Sequence, residues 1–394
     1  MRRLDLKDVL LNVRLLTCAF LLFLMSYPKW LWGISAEILT IISLFLLLLS
    51  IHDFTFNLRK DISKVILLLI QIIFLFVCYY TSFSGLEELG LILARGLCFA
   101  SLFFCSAFFW TECVNCFIKL LAVFLFLSIV EHILVSFLYI ETITPSIVEC
   151  PLNRGRDYYS YLFNVYLQEN FSVFNRFYAF FDEPGVVGNV MMVLLFIQKF
   201  DLKKWYNIIF LVSGILSFSL AFYIATATYF ILIGNIKSKI SFIILVIIAI
   251  YFFYENEFVY KLVFGRLEFD DGQLAGYNRE NYSFDIWFKN IDWTDFFLTG
   301  YWPRKQIPYA ASWKWAFATY GIIPSLIYLS LLVFSRVRNS ISGKDILLGL
   351  ILLVIIWIQR PLIHSFFYVF LLMIPFVYYN SNNYTSVQRK SLND

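Results

Sequence analysis

The stretch ILTIISLFLLLLSI at residues 38–51 contains no charge and no proline, and ISFIILVIIAIYFF at 240–253 repeats the pattern in the second half of the chain. Similar runs recur from end to end and leave no segment polar enough to fold as a separate soluble domain. Of 394 residues, 61% are hydrophobic and only 15% charged, against about 25% charged in an average soluble chain. That is too few solvated groups to cover a surface in water. The composition predicts an all-α, polytopic integral membrane protein, with residues 1–394 forming one membrane domain. The excess of 31 Lys and Arg over 27 Asp and Glu, a net +4, is small and dispersed. It argues against a nucleic-acid partner and reads as a topology signal.

A crossing needs roughly 20 apolar residues, and short loops that stay in the cytoplasm carry the Lys and Arg excess. Together these rules predict spans at about 9–26, 31–51, 65–80, 89–110, 117–140, 184–198, 240–254, 315–334, 346–358 and 362–379. The apolar stretch 206–233 has Lys203 and Lys204 before it and Lys237 and Lys239 after it. Positive charge at both ends calls for a hairpin of two short spans turning near Ser217-Phe218-Ser219. The sum is twelve spans with both termini cytoplasmic and two large outer loops, at about 141–183 and 255–313. Arg2 and Arg3 precede an apolar run without a small-x-small cleavage site, which predicts an uncleaved first span. Cys113 and Cys116 form a lone CxxC with neither a second pair nor nearby histidines, so packing is expected rather than metal binding. There is no P-loop and no GxGxxG, and neither a metal nor any other cofactor is expected.

Chemistry is expected in the two outer loops. The first carries Arg154, Arg156 and Arg176 and closes with Asp182-Glu183-Pro184-Gly185 at the start of a span. Its segment 158–174 mixes aromatic and polar residues in a way that predicts an amphipathic helix on the membrane surface. Carboxylates ahead of Pro184 also suit a plain structural role, stabilising free amides and the positive end of a helix dipole. The second loop holds Arg266, Arg279, Arg304 and Lys305, with Phe284, Trp287, Phe288 and Ile291 at helical spacing and a turn across 296–302. Arginine suits a diphosphate because its planar fork offers parallel donors and stays charged, while aromatic faces suit sugar rings and headgroup depth. A ligand needing both is an anionic, carbohydrate-bearing lipid.

The run Arg176-x6-Glu183-Pro184-Gly185, then Arg266, Asn278-Arg279, Trp287, Leu298-x-Gly300 and Tyr320-Gly321-Ile322-Ile323, resembles the bacterial O-antigen polymerase (Wzy) family. The likeness covers the chain from Arg176 onward. It departs from the Arg-x10-Gly pattern of some members, since Arg266 reaches Gly276 one residue early. The related O-antigen ligases carry a His-Asn pair ahead of the tenth span, where this chain has Ala311-Ser312-Trp313. His52, His132 and His364 are expected to lie outside the outer loops.

The resemblance implies a metal-independent glycosyltransferase of the bacterial inner membrane that joins undecaprenyl diphosphate-linked oligosaccharide repeats at the periplasmic face. The lipid bilayer and a chain-length regulator are the further partners that it brings. On this reading Arg266 and Arg279, with Arg176, Arg304 and Arg360, hold the diphosphate, and Glu183 or Asp182 positions or deprotonates the acceptor hydroxyl. A ligase acting on lipid A-core and a lipid-linked oligosaccharide flippase are the alternatives. Within the spans, Arg95, Glu131 and His132 stand out because buried charge is costly. The expectation is an internal Arg95–Glu131 pair.

Overall fold

In the computed structural model, the described residues are 6–32, 36–55, 61–79, 86–136, 138, 145–150, 156–170, 175–234, 236, 239–240, 243–244, 251, 260, 269–270, 273–274, 282–298, 300, 312–337 and 341–391. They are mostly helical. In chain order come α1 (Leu6–Met25), α2 (Ala36–Ser50), α3 (Ile62–Tyr79), α4 (Leu86–Phe104) and α5 (Ala107–Ser136), then strands β1 (Ser146–Glu149), β2 (Asp157–Ser160) and β3 (Val165–Leu167). After these come α6 (Pro184–Ile197), α7 (Trp205–Leu216) and α8 (Leu220–Leu232), the short strands β4 (Phe269–Asp270) and β5 (Gln273–Leu274), and α9 (Tyr282–Lys289) and α10 (Trp293–Leu298). The chain closes with α11 (Trp313–Tyr320), α12 (Ile322–Phe334), α13 (Gly343–Gln359) and α14 (Phe366–Ser391). The predicted span at 240–254 falls almost entirely outside the described residues.

Two helices, α3 and α5, are each long and apolar enough to cross a membrane, and α11 with α12 makes a third if that bent pair is one span. Others are apolar but shorter. At 14 residues, α6 extends roughly 21 Å, less than a hydrocarbon core of about 30 Å. Leu48, Leu69, Ile73, Phe126 and Val354 are each more than half exposed, the inverse of what a helix in water presents.

The main core cluster runs from Leu15 to Tyr379, with smaller clusters around the meander and around Phe284, Phe296 and Trp315. Helix α6 lies inside it, buried from Val186 to Ile197 on every face, as a helix apolar all round must be. It packs on α7, α8, α13 and α14. In the stretch expected to form a hairpin, two helices, α7 and α8, join through Ser217–Ser219, with Phe218 at φ 48°, and both pack more extensively on α6 than on each other.

Four local expectations are corrected. The segment 158–174 is not a surface helix; its described part, 158–170, contributes β2 and β3 to the antiparallel meander β1-β2-β3, with Tyr158 opposite Leu167 and Ser160 opposite Val165. β-branched and aromatic residues favour that pleated surface, and three consecutive inward residues, Val165, Tyr166 and Leu167, do not fit one helical stripe. Second, the break between the fourth and fifth spans falls at Cys105-Ser106, so Cys113 and Cys116 lie within α5. There the Ser106 hydroxyl accepts from the Phe109 amide, and the buried Arg336 donates to the Cys105 and Leu102 carbonyls at the end of α4. A cation satisfying terminal carbonyls stabilises a helix end, and hydropathy cannot see it. Third, 293–298 is helical rather than part of a turn.

The fourth concerns the stretch expected as the tenth span, 315–334, which is not one continuous helix: α11 and α12 meet at 105°, the geometry of a broken span or a re-entrant loop. The corner is Gly321, at φ 80° and ψ 149°, a region open essentially to glycine alone. Gly300, at φ 71°, abuts it; a Cβ on Gly300 would meet the Thr319 carbonyl oxygen at 2.5 Å. The Leu298-x-Gly300 and Tyr320-Gly321 motifs thus form one contact between two glycine backbones. Gly321→Ala is expected to cost about 1–3 kcal/mol, read as a lower unfolding midpoint in detergent. Gly90→Ala, on α4 with nothing within 4 Å of the added methyl, is neutral or stabilising. Equal midpoints for the two variants would contradict this account of the corner.

Candidate active site

Glu183 occupies the N-cap position of α6 and Pro184 the first turn, yet the Glu183 side chain makes no cap hydrogen bond. The acidic pair is turned elsewhere. Arg360, at the C-cap of α13, ion-pairs with the Glu183 carboxylate and sits 3.9 Å from the Asp182 carboxylate. Arg360 and Asp182 are 8% and 7% exposed, so the guanidinium is held where an uncompensated charge could not stay. Burial pushes the Asp182 carboxyl above the usual aspartate range, Arg360 opposes that, and the neighbouring Glu183 adds to it.

The backbone explains how these groups arrive. Residues 175–183 are threaded along β3 and the α1–α2 connection, with the Val165 amide donating to Ala179 and the Lys29 amide to Phe180. Ala179, at φ 50°, makes the turn into Asp182. On the other side, Pro361 ends α13, and the connection 360–365 turns tightly through Leu362→Arg360 and Ser365→Leu362 amide bonds. Gln71 of α3 reaches this connection: its amide donates to the Ile363 carbonyl at 2.8 Å and accepts from the Tyr328 hydroxyl of α12.

A cavity of about 360 Å³ opens beside the ion pair. Its lining includes Tyr27, Thr40, Ser43, Tyr79, Arg95, Asp182, Arg360, His364, Ser365 and Tyr368. These come from the ends of α1 and α3, the first half of α2, the middle of α4, the start of α6, the α13–α14 connection and the first turn of α14. The charge-based topology expects the ends of α1 and α3, the starts of α6 and α14 and the α13–α14 connection on the outer side, with Ser43 and Arg95 further along their helices. Arg95 donates to the Thr40 hydroxyl at 2.9 Å and lies 4.9 Å from the centre of the Tyr79 ring.

The expected Arg95–Glu131 pair is not formed. The Glu131 carboxylate instead accepts from the Leu162 and Phe163 amides and the Asn164 side chain, clamping the β2–β3 turn onto α5. Adjacent His132 meets the Tyr166 hydroxyl at 2.8 Å. Lys29 closes the arrangement, donating to Ser160 and Asn164, and burial pulls its ammonium down to about 8 against the stabilising field of Glu131. These buried charges anchor the sheet.

Of the expected site residues, Asp182, Glu183 and Arg360 come together. Arg176 does not join them: its guanidinium donates to the Ser217 and Phe218 carbonyls, capping the α7–α8 turn. Arg266, Arg279 and Arg304 lie outside the described residues. His364 lies in the non-helical connection 360–365, outside the two large loops as expected, and lines the cavity. Arg95, which stands out in the sequence as a costly charge within a span, lines it too. No family model, curated protein or solved structure matches the chain.

Gln71→Leu is expected to leave the Tyr328 hydroxyl and the Ile363 carbonyl without their bonds, at about 1–3 kcal/mol for each group left buried. Tyr328→Phe, which keeps the Gln71–Ile363 bond, should lower the unfolding midpoint less. A Gln71→Leu midpoint equal to wild type would show that this bridge does not hold the Arg360 connection.

Proposed function

We propose that this chain is a multi-pass glycosyltransferase of the bacterial inner membrane. It crosses the bilayer about twelve times with both termini cytoplasmic, and it polymerises undecaprenyl diphosphate-linked oligosaccharide repeats at the periplasmic face, as an O-antigen polymerase does. One observation carries the reading: the cavity beside Asp182, Glu183 and Arg360 is bounded in part by the ends of α1 and α3, the start of α6 and the α13–α14 connection, all of which the charge rule assigns to the outer side.

The chemistry fits that site. Transfer of a glycan from a lipid diphosphate to a hydroxyl needs positive groups to meet the charge that develops on the leaving diphosphate. Arg360 and Arg95 both reach the cavity, and the outer-loop Arg266, Arg279 and Arg304 remain candidates for the same role. Asp182 and Glu183 hold Arg360 in place and accept hydrogen bonds from sugar hydroxyls. Tyr27, Tyr79 and Tyr368 offer ring faces and hydroxyls of the kind that line carbohydrate sites. The exposed apolar faces of α2, α3, α5 and α13 meet lipid, and the substrate's polyprenyl tail lies among the same lipids.

A second reading, the ligase, is favoured by one observation, the placement of His364 in the cavity. Deletion of the gene separates the classes by gel analysis of lipopolysaccharide. Polymerase loss leaves lipid A-core bearing one repeat, ligase loss leaves core with none, and flippase loss strands repeats on the cytoplasmic leaflet. In the complemented strain, Arg360→Ala and Glu183→Ala at normal membrane abundance are expected to collapse the ladder to the one-repeat band. Full ladders from both variants would remove these residues from the site.

A further inference from the structure

The end of α1 breaks a backbone rule beside the cavity. Helices commonly close on a residue in the left-handed region, and glycine is the residue that enters it without steric strain. Here that place, two residues past Met25, is taken by Tyr27 at φ 56°. A bulky side chain is disfavoured there, and the residue before a proline is drawn to extended backbone instead. Tyr27 precedes Pro28. Ala179, Lys199, Phe200 and Phe218 are the other described non-glycine residues at positive φ, and of all these Tyr27 alone lines the cavity.

Such a conformation persists only where the surroundings impose it. The Ser26 and Tyr27 amides donate to the Phe23 and Leu24 carbonyls, which closes α1. Pro28 and Lys29 are then buried, and the Lys29 amide donates to the Phe180 carbonyl at 2.8 Å. Asp182, two residues on from Phe180, lines the same cavity. One backbone bond, two residues from each, thus holds Tyr27 and Asp182 in register. The tyrosine itself adds little to the fold. It is half-buried, its ring belongs to none of the core clusters, and its side chain makes no hydrogen bond or ring contact with the described residues. Strain without packing points to a use outside the fold. An aromatic face beside a carboxylate suits a sugar: the ring covers the C–H face of a pyranose, and the carboxylate accepts from its hydroxyls.

We propose that Tyr27 is a sugar-binding residue of the cavity, its ring packing on a pyranose of the lipid-linked glycan while Asp182 accepts from that sugar's hydroxyls. The left-handed backbone is what aims the ring at the ligand rather than into the core. The inference rests on the glycosyltransferase reading and adds to it a residue that holds the glycan.

The test uses the full-length protein in liposomes, supplied with the lipid-linked oligosaccharide fraction extracted from cells deleted for the gene. Extension rate is measured against the concentration of that fraction for wild type, Tyr27→Gly and Tyr27→Phe, and each unfolding midpoint is measured in detergent. Glycine relieves the strain and removes the ring, so Tyr27→Gly is expected to unfold at or above the wild-type midpoint while its KM rises at least about tenfold. Tyr27→Phe keeps the ring and is expected to stay within about threefold of the wild-type KM. A purely structural tyrosine would lose stability and activity together. An unchanged KM in Tyr27→Gly, a lower midpoint or failure to fold in that variant, or a KM in Tyr27→Phe as high as in Tyr27→Gly overturns the assignment and leaves the polymerase reading standing. A wild-type protein that extends nothing overturns the polymerase reading, and this assignment with it.

Discussion

A guanidinium placed beneath the ends of apolar helices has to be met by acceptors, and the pairing of Arg360 with Glu183 and Asp182 sets much of the architecture around it. The partners come from chain segments far apart in sequence, the start of α6 and the end of α13. Because Arg360 is buried, α6 cannot be displaced without exposing an unpaired charge to an apolar interior. This explains why a helix of only 14 residues, too short to cross a bilayer alone, is fixed at the centre of the bundle. Non-helical backbone on either side of it is tolerated because protein, rather than lipid, surrounds it.

The other buried polar groups serve the same end. Glu131, His132 and Ser128 tie the β-meander to α5, and Lys29 ties the α1–α2 connection to that meander. The meander in turn holds residues 175–183, which deliver Asp182 and Glu183. Gln71 and Tyr328 fix the opposite connection, which delivers Arg360 and His364. Each anchor is a hydrogen-bonded network rather than a simple ion pair. That is how buried polar groups become affordable and directional.

Much of this was legible in the residues. Apolar runs located most of the helices, and the lysines flanking 206–233 marked the break between α7 and α8. Pro184 marked the start of α6, and Asp182, Glu183 and Arg360 were all recognisable as site candidates. What stayed hidden depended on partners far away in sequence. Arg176 reads as a ligand group next to an aromatic loop, but two carbonyls at Ser217 and Phe218 claim it. Glu131 reads as the counter-charge for Arg95, but three donors of the β2–β3 turn claim it. The α4–α5 break is invisible to hydropathy because both sides of it are apolar and its cap, Arg336, comes from the end of α12.

The central claim is that the cavity beside Arg360 opens to the outer compartment and holds the lipid-linked substrate. Ser365 lines that cavity next to His364, and the described native cysteines are buried apart from the half-buried Cys116. The direct measurement is therefore labelling of Ser365→Cys by a membrane-impermeant maleimide in cells whose outer membrane alone is permeabilised, with the unsubstituted chain as background. The account predicts labelling from outside in cells that make no lipid-linked repeats, and protection in cells that accumulate them. Labelling that requires rupture of the inner membrane, or that proceeds equally with and without accumulated repeats, would contradict it.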